Sequence, residues 1–137
     1  MKKKGWRGYV FSRAINGQVI PQRVQNLVLR TYAEKNGLQY LLSATEYHMP
    51  GSFMMLESLY PTLPGLAGIL LYSISMLPER REQRLRLYDA VFGAKAGLRF
   101  ALEELALQGR EDVQLIEDVL ATRVLSRRAD LSLLERA

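Results

Sequence analysis

The chain contains no cysteine and only one histidine, His48, in 137 residues. Without cysteine there are no disulfides, no thiolate nucleophile and no cysteine-based zinc site. One histidine supplies too few nitrogen ligands for a His-rich metal centre, and a Ser-His-Asp triad can draw only on His48. The N-terminus lacks the apolar core of a signal peptide, and no later run is long enough to span a bilayer. A cytoplasmic protein with no membrane partner is the expectation. Also missing is the glycine spacing of a P-loop or a dinucleotide fingerprint, so neither ATP nor NAD is indicated. No cofactor and no metal are expected. No internal repeat, low-complexity tract or linker interrupts the chain.

What is present is an ordinary globular composition, 48% hydrophobic and 24% charged. The length suits one domain that buries a core unaided. The formal net charge of +5 raises the question of a nucleic-acid partner. Lys2, Lys3, Lys4 and Arg7 carry four of those charges ahead of any acid, which leaves about +1 for the remainder. Residues 1–5 therefore read as a solvated basic terminus rather than a DNA-binding arm. The run Arg80, Arg81, Arg84 and Arg86 is interleaved with Glu79 and Glu82 and has no aromatic stacking platform. A nucleic-acid partner ranks last on these grounds.

Four times a short apolar or β-rich run precedes a helical pattern. Trp6 to Ser12 predicts a first strand, and Pro21 to Lys35 a first helix with Pro21 in its opening turn. Val24, Leu27, Val28 and Tyr32 recur at helical spacing, and Asn36-Gly37 closes the helix. Leu38 to Ser43 predicts a second strand. A short helix over Ser52 to Leu59 follows, capped by Ser52 and ended by the two prolines of "YPTLPG". Leu66 to Ser73 is the most continuous apolar run and predicts a central strand buried on both faces. A third helix from Pro78 to Ala96, a fourth strand over Leu98 to Leu102 and a long final helix over residues 111–136 complete the order. Such alternation predicts a flavodoxin-like three-layer α/β/α domain over residues 1–137. Its sheet would be four-stranded and parallel, in the order 2-1-3-4.

Ligands of open parallel sheets bind beyond the carboxyl ends of the strands, where the strand order reverses. Here that crevice lies between the first and third strands. Ser12-Arg13 and Tyr72-Ser73 leave those strands, and the neighbouring ones deliver Glu46-Tyr47-His48 and Glu103. Arg13 either clamps a phosphate or carboxylate, or pairs with Glu46. Ser12 is a hydroxyl donor to an anion or, with a base beside it, a nucleophile. Glu46 and Glu103 are candidate general acids or bases if desolvated, or else partners of Arg13 and Arg99. Tyr72 is a further proton-handling candidate. Asn16-Gly17 is an ordinary turn or, with Gln22 at the helix start, a loop whose N–H groups meet an anion. His48, whose side chain titrates near neutrality, and Ser73 complete the candidate binding set. Met49, Met54, Met55 and Met76 read as packing or as a pocket wall.

The order of elements resembles the catalytic domain of small serine recombinases. There a strand ends in a Tyr-x-Arg-x-Ser pattern, and a Gln-containing loop leads to the first helix. The strings "GYVFSR" and "PQRVQNLVLRTYAEKNG" are similar in layout. Phe11 and Ser12 do not reproduce the Arg-x-Ser spacing, and "SISMLPERRE" offers Arg80 and Arg81 in place of an Asp-Arg-x-x-Arg set. This resemblance implies the fold and argues against DNA strand exchange.

A second resemblance runs from Gly8 to Val119. The strings "RGYVFSRAINGQVIPQRVQNLVLR", "LLSATEYHMPGSFMMLE", "GILLYSISMLPERREQR" and "FALEE" resemble the sporadic carbohydrate cluster proteins. These are small bacterial proteins of surface-polysaccharide and unusual-sugar loci. The resemblance implies a bacterial protein of sugar biosynthesis that binds a sugar phosphate or nucleotide sugar. The leading expectation is an enzyme doing cofactor-free proton transfer on such a sugar: isomerisation, epimerisation or elimination. Arg13, Asn16 and Gln22 would hold the anion, and Glu46, Glu103 or Tyr72 would handle protons. The alternative is a non-catalytic partner of a pathway enzyme. Val113, Ile116, Val119, Leu120, Val124, Leu131 and Leu134 extend beyond what a four-stranded sheet needs to cover. A homodimer is expected in either case.

Overall fold

The computed structural model describes residues 5–123. Its elements alternate as β1 (Trp6–Phe11), α1 (Gln22–Lys35), β2 (Tyr40–Glu46), α2 (Met54–Ser58), β3 (Gly68–Leu71), α3 (Arg81–Gly93), β4 (Gly97–Phe100) and β5 (Leu105–Leu107). A last helix, α4, occupies residues 113–123. The expected basic Lys2–Lys4 terminus and the expected helix beyond 123, with Val124, Leu131 and Leu134, lie outside the described residues.

The strand order is β2-β1-β3-β4-β5. β1 pairs in parallel with β2 and with β3, and β3 pairs in parallel with β4, so the expected 2-1-3-4 arrangement is present. The expected four-stranded, wholly parallel sheet is not. β5 adds a fifth strand, antiparallel to β4, with Phe100 opposite Leu105 and Leu98 opposite Leu107. The chain turns back at residues 101–104, with Glu104 at φ 54°, where the sequence had suggested that β4 continues to Leu102. A three-residue strand behind a turn lacking Gly, Pro and Asn leaves little sequence signal.

β3 is buried at every position, as a strand covered on both faces must be. Ile69, Leu70 and Leu71 pack with Tyr9, Val10, Leu98 and Phe100 into the core. Trp6 lies across the starts of β3 and β4, where both neighbouring strands carry glycine. A side chain at Gly68 would meet the Trp6 ring and the Gly97 carbonyl. The helices add Leu29, Tyr32 and Ala33 from α1, Leu87, Tyr88 and Val91 from α3, and Ile116 from α4.

Local differences from the sequence reading have physical causes. α1 buries Gln25, Leu29, Tyr32 and Ala33, whereas Val24 and Leu27, expected inside, are exposed. The helix is rotated because Gln25 is drawn inward: its amide accepts from Phe11 N at 2.9 Å and donates to Phe11 O and Ile20 O, both at 2.8 Å. Asn36-Gly37 ends α1 as expected. Gly37 takes φ 67°, and Leu38 N reaches back to Ala33 O at 2.8 Å, a left-handed stop that consumes Leu38. β2 consequently starts at Tyr40 instead of Leu38 and runs to Glu46. Ser52 does not cap α2; its hydroxyl donates to Glu46 instead. α2 ends at Ser58, before the two prolines as expected, and residues Tyr60–Gly65 continue as a 3-10 helix. α3 begins only at Arg81, since Leu77 and Arg80 are extended.

Candidate anion-binding cleft at the sheet edge

β1 continues past Phe11 into Ser12 and Arg13, then closes a tight hairpin. Ile15 and Gln18 exchange both backbone hydrogen bonds, at 2.7 and 3.0 Å. Asn16 and Gly17 supply the two positive φ values, 52° and 82°, that this two-residue turn requires. Asn-Gly is thus the turn. Gln22 is exposed at the start of α1, and its carbonyl accepts from Asn26.

A cleft of about 640 Å³ opens beyond the carboxyl ends of β1 and β3. That is where the strand order reverses, the crevice expected from topology. One wall comes from β1 and the loop after β2: Phe11, Arg13, Ala14, Pro50, Gly51 and Phe53. The opposite wall follows β3: Ser75, Met76, Leu77, Glu79, Arg80 and Gln83. Arg13 is the one member of the sequence-derived site set that lines it. Its guanidinium lies 4.1 Å from the Phe11 ring centroid and 5.1 Å from that of Phe53. Nη1 donates to Tyr47 O at 2.9 Å and Met49 O at 3.3 Å, so two backbone carbonyls and two rings orient the group. Among the described residues Nε and Nη2 meet no acceptor. The alternative pairing of Arg13 with Glu46 does not form.

Glu46 is 1% exposed. Its Oε1 accepts from Tyr9 Oη at 2.8 Å and Leu56 N at 3.2 Å. Oε2 accepts from Tyr47 N at 2.9 Å, Met55 N at 3.2 Å and Ser52 Oγ at 3.3 Å. Five protein donors fill its acceptor capacity, and the carboxylate serves the first N–H groups of α2 in place of a local cap. Burial, and then the Glu46 hydrogen bond, push the Tyr9 phenol far above its usual pKa. Ser12 Oγ donates to Glu46 O at 2.8 Å.

Glu103 organises the far side of β3 from the turn between β4 and β5. It accepts from Ser73 Oγ at 2.6 Å and Ile74 N at 3.0 Å. Ser75 N donates to Ser73 Oγ, and Arg123 of α4 donates to Ser75 Oγ at 2.8 Å, with its Nη2 3.6 Å from Glu103. Ser73 and Tyr72 are buried, and His48 is exposed on its loop. Of the strand-end candidates, Ser12 thus joins a hydrogen-bonded cluster around Glu46 and Ser73 one around Glu103, on either side of the Arg13 cleft, and Tyr72 and His48 join neither.

Arg80 is the residue that sequence reasoning left out of the site, having placed it in a basic helical run and in the segment that lacks the Asp-Arg-x-x-Arg set. Its guanidinium has no ion-pair partner among the described residues. Arg84, by contrast, is held at 2.9 and 2.8 Å by both oxygens of Glu117, and Arg86 lies 3.9 Å from Glu57. The available signal was position: Pro78-Glu79-Arg80 lies in the connection between the central strand and α3, on the carboxyl side of β3. Among the described residues, no three His, Asp or Glu side chains gather as a metal site, and no helix is long and apolar enough to cross a membrane.

No protein-family model matches the chain, and no curated protein matches it. Among solved structures it is similar to the N-terminal catalytic domain of the TP901-1 integrase. The TM-score is 0.61 at 17% identity, over 90% of this chain and 98% of that one. It is also similar to a resolvase-family site-specific recombinase from Streptococcus pneumoniae, with a TM-score of 0.62 at 10% identity over 93% of each chain. The fold is that of resolvase-type recombinase catalytic domains. No comparison supports the carbohydrate-cluster resemblance. Aligned on Tyr9, the Tyr-x-Arg-x-Ser pattern places Phe11 at the arginine and Arg13 at the serine.

Proposed function

We propose that this chain is a resolvase-fold domain that binds a phosphate-bearing ligand between β1 and β3 and does not cut DNA through a strand-end serine. One observation carries the reading. Two guanidinium groups without carboxylate partners among the described residues, Arg13 and Arg80, face a single cleft at the point where strand order reverses. The absence of strand-cutting chemistry is supported by Arg13 standing at the pattern's serine position. Ser12, the adjacent hydroxyl, is engaged with the Glu46 carbonyl. The fold neighbours, an integrase domain and a site-specific recombinase, favour a recombinase-derived role over sugar biosynthesis. A sugar phosphate or nucleotide sugar is the second reading. It is favoured by a cleft of about 640 Å³, the size of a small-molecule site.

Calorimetric titration of the full chain with pyrophosphate, UDP-glucose and a short DNA duplex tests this. Arg13→Ala and Arg80→Ala should each weaken whichever ligand binds by about tenfold to a hundredfold, the range for one charge-assisted contact. Supercoiled DNA should remain uncut. Silence with all three ligands, or affinity indifferent to both arginines, would remove the cleft from the function.

A further inference from the structure

The cleft is not a simple anion cradle. Opposite Arg13, the Arg80 wall also carries Glu79, an exposed carboxylate with no ion-pair partner among the described residues, and each wall carries an apolar side chain: Phe53 beside Arg13 and Leu77 beside Glu79. A bare phosphate would leave those apolar side chains uncovered and would be repelled by Glu79. A base inside a duplex cannot enter a crevice of this kind without leaving its stack.

We propose that the occupant is a 5′-ribonucleotide, its phosphate on Arg13, its ribose hydroxyls on Glu79 and its base against Phe53 and Leu77. This rests on the phosphate reading above and adds the other two thirds of the ligand. Charge orders the parts. The phosphate lies toward Arg13, whose Nε and Nη2 are uncommitted and whose guanidinium is already oriented by the Tyr47 and Met49 carbonyls. The carboxylate across the cleft is an acceptor-only group, and a vicinal diol presents two O–H donors to it. An acidic side chain gripping ribose is the arrangement that nucleotide sites at strand-order reversals use repeatedly. Arg80, adjacent in sequence, closes on the phosphate from the Glu79 side, and Gln83 offers both an amide donor and an acceptor one helical turn further along α3. The same nucleotide moiety occurs free, on a nucleotide sugar, or at the 5′ end of an RNA strand, and one ligand series separates these sources.

The probes are AMP, UMP, dAMP, ribose 5-phosphate, inorganic phosphate, UDP-glucose and a 5′-phosphorylated RNA hexamer, titrated into the full chain by calorimetry. AMP and UMP should bind at least tenfold tighter than ribose 5-phosphate, and AMP about tenfold tighter than dAMP. Glu79→Gln, a change at an exposed position, should erase the difference between AMP and dAMP while Arg13→Ala weakens every phosphorylated probe. Ribose 5-phosphate matching AMP would overturn the base contact and leave the phosphate reading intact. Equal affinity for AMP and dAMP, or a difference that survives Glu79→Gln, would overturn the ribose assignment. Binding by none of the probes would overturn this proposal and the phosphate reading together. UDP-glucose or the RNA hexamer exceeding the mononucleotides identifies the source.

Discussion

Glu46 and Arg13 stand two strands' ends apart in the same neighbourhood, yet their surroundings give them opposite work. Glu46 accepts five hydrogen bonds in a buried setting, and Arg13 keeps two of its three nitrogens open beside a cleft. Glu46→Gln replaces an acceptor oxygen with an N–H2 group that faces other donors. It should lower unfolding free energy by about 2–3 kcal/mol, the scale of a disrupted buried hydrogen bond to a charged group. Arg13→Ala should lose less than about 1 kcal/mol, the scale of a partly exposed cation–π contact. Urea denaturation of the two variants checks the contrast, and equal losses would mean that Arg13 is structural. Arg13 was legible in the sequence because a polar pair ending an apolar run marks a strand's exit. Glu46 was legible only as a position. Its role depends on Tyr9, Leu56 and Ser52, brought together by folding. Gln25 was not legible, since a glutamine on the inward face breaks the apolar stripe that identifies a helix's buried side.

At the level of elements, β1, β3 and the order 2-1-3-4 followed from continuous apolar runs separated by helical patterns. β5 and the rotation of α1 followed from tertiary contacts and were hidden. The contact between α3 and α4 was hidden in the same way. Arg84 of α3 is held by both oxygens of Glu117 and also donates to the carbonyls of Pro78 at 3.1 Å and Glu79 at 2.8 Å. Tyr88 donates to Glu117 as well, at 2.8 Å. α4 therefore braces the rear of the cleft wall. The Arg84 hydrogen bond holds the Glu117 carboxyl below its usual pKa. A depressed carboxyl contributes stability that is complete above its unfolded value of about 4.3 and is lost as pH falls through the folded value. Hydrogen exchange in residues 113–123 should accordingly quicken, relative to β3, as pH drops below about 4. Glu117→Gln should show the quicker exchange at neutral pH and little further change in acid. An acid response that persists in the variant would assign the effect to another group.

Across the whole molecule, protection should follow sheet position. β1 and β3 have strands on both sides and buried residues on their faces, whereas β5 has three residues and one neighbour. Amide exchange should be slowest at Tyr9, Val10 and Ile69 to Leu71, opening only with global unfolding. Ala106 should exchange through local opening, and equal rates at Ala106 and Leu70 would show that the sheet opens as one unit.

Both rims of that sheet also limit how the molecule associates with others. On β2 the pairing with β1 slips between Trp6 and Gly8, and the carbonyl of Leu42 is taken by Arg7 Nε at 2.7 Å. An incoming strand would meet an interrupted ladder there, and at the other rim a template only three residues long. Each rim of the described sheet is therefore a poor template for strand addition by a second copy.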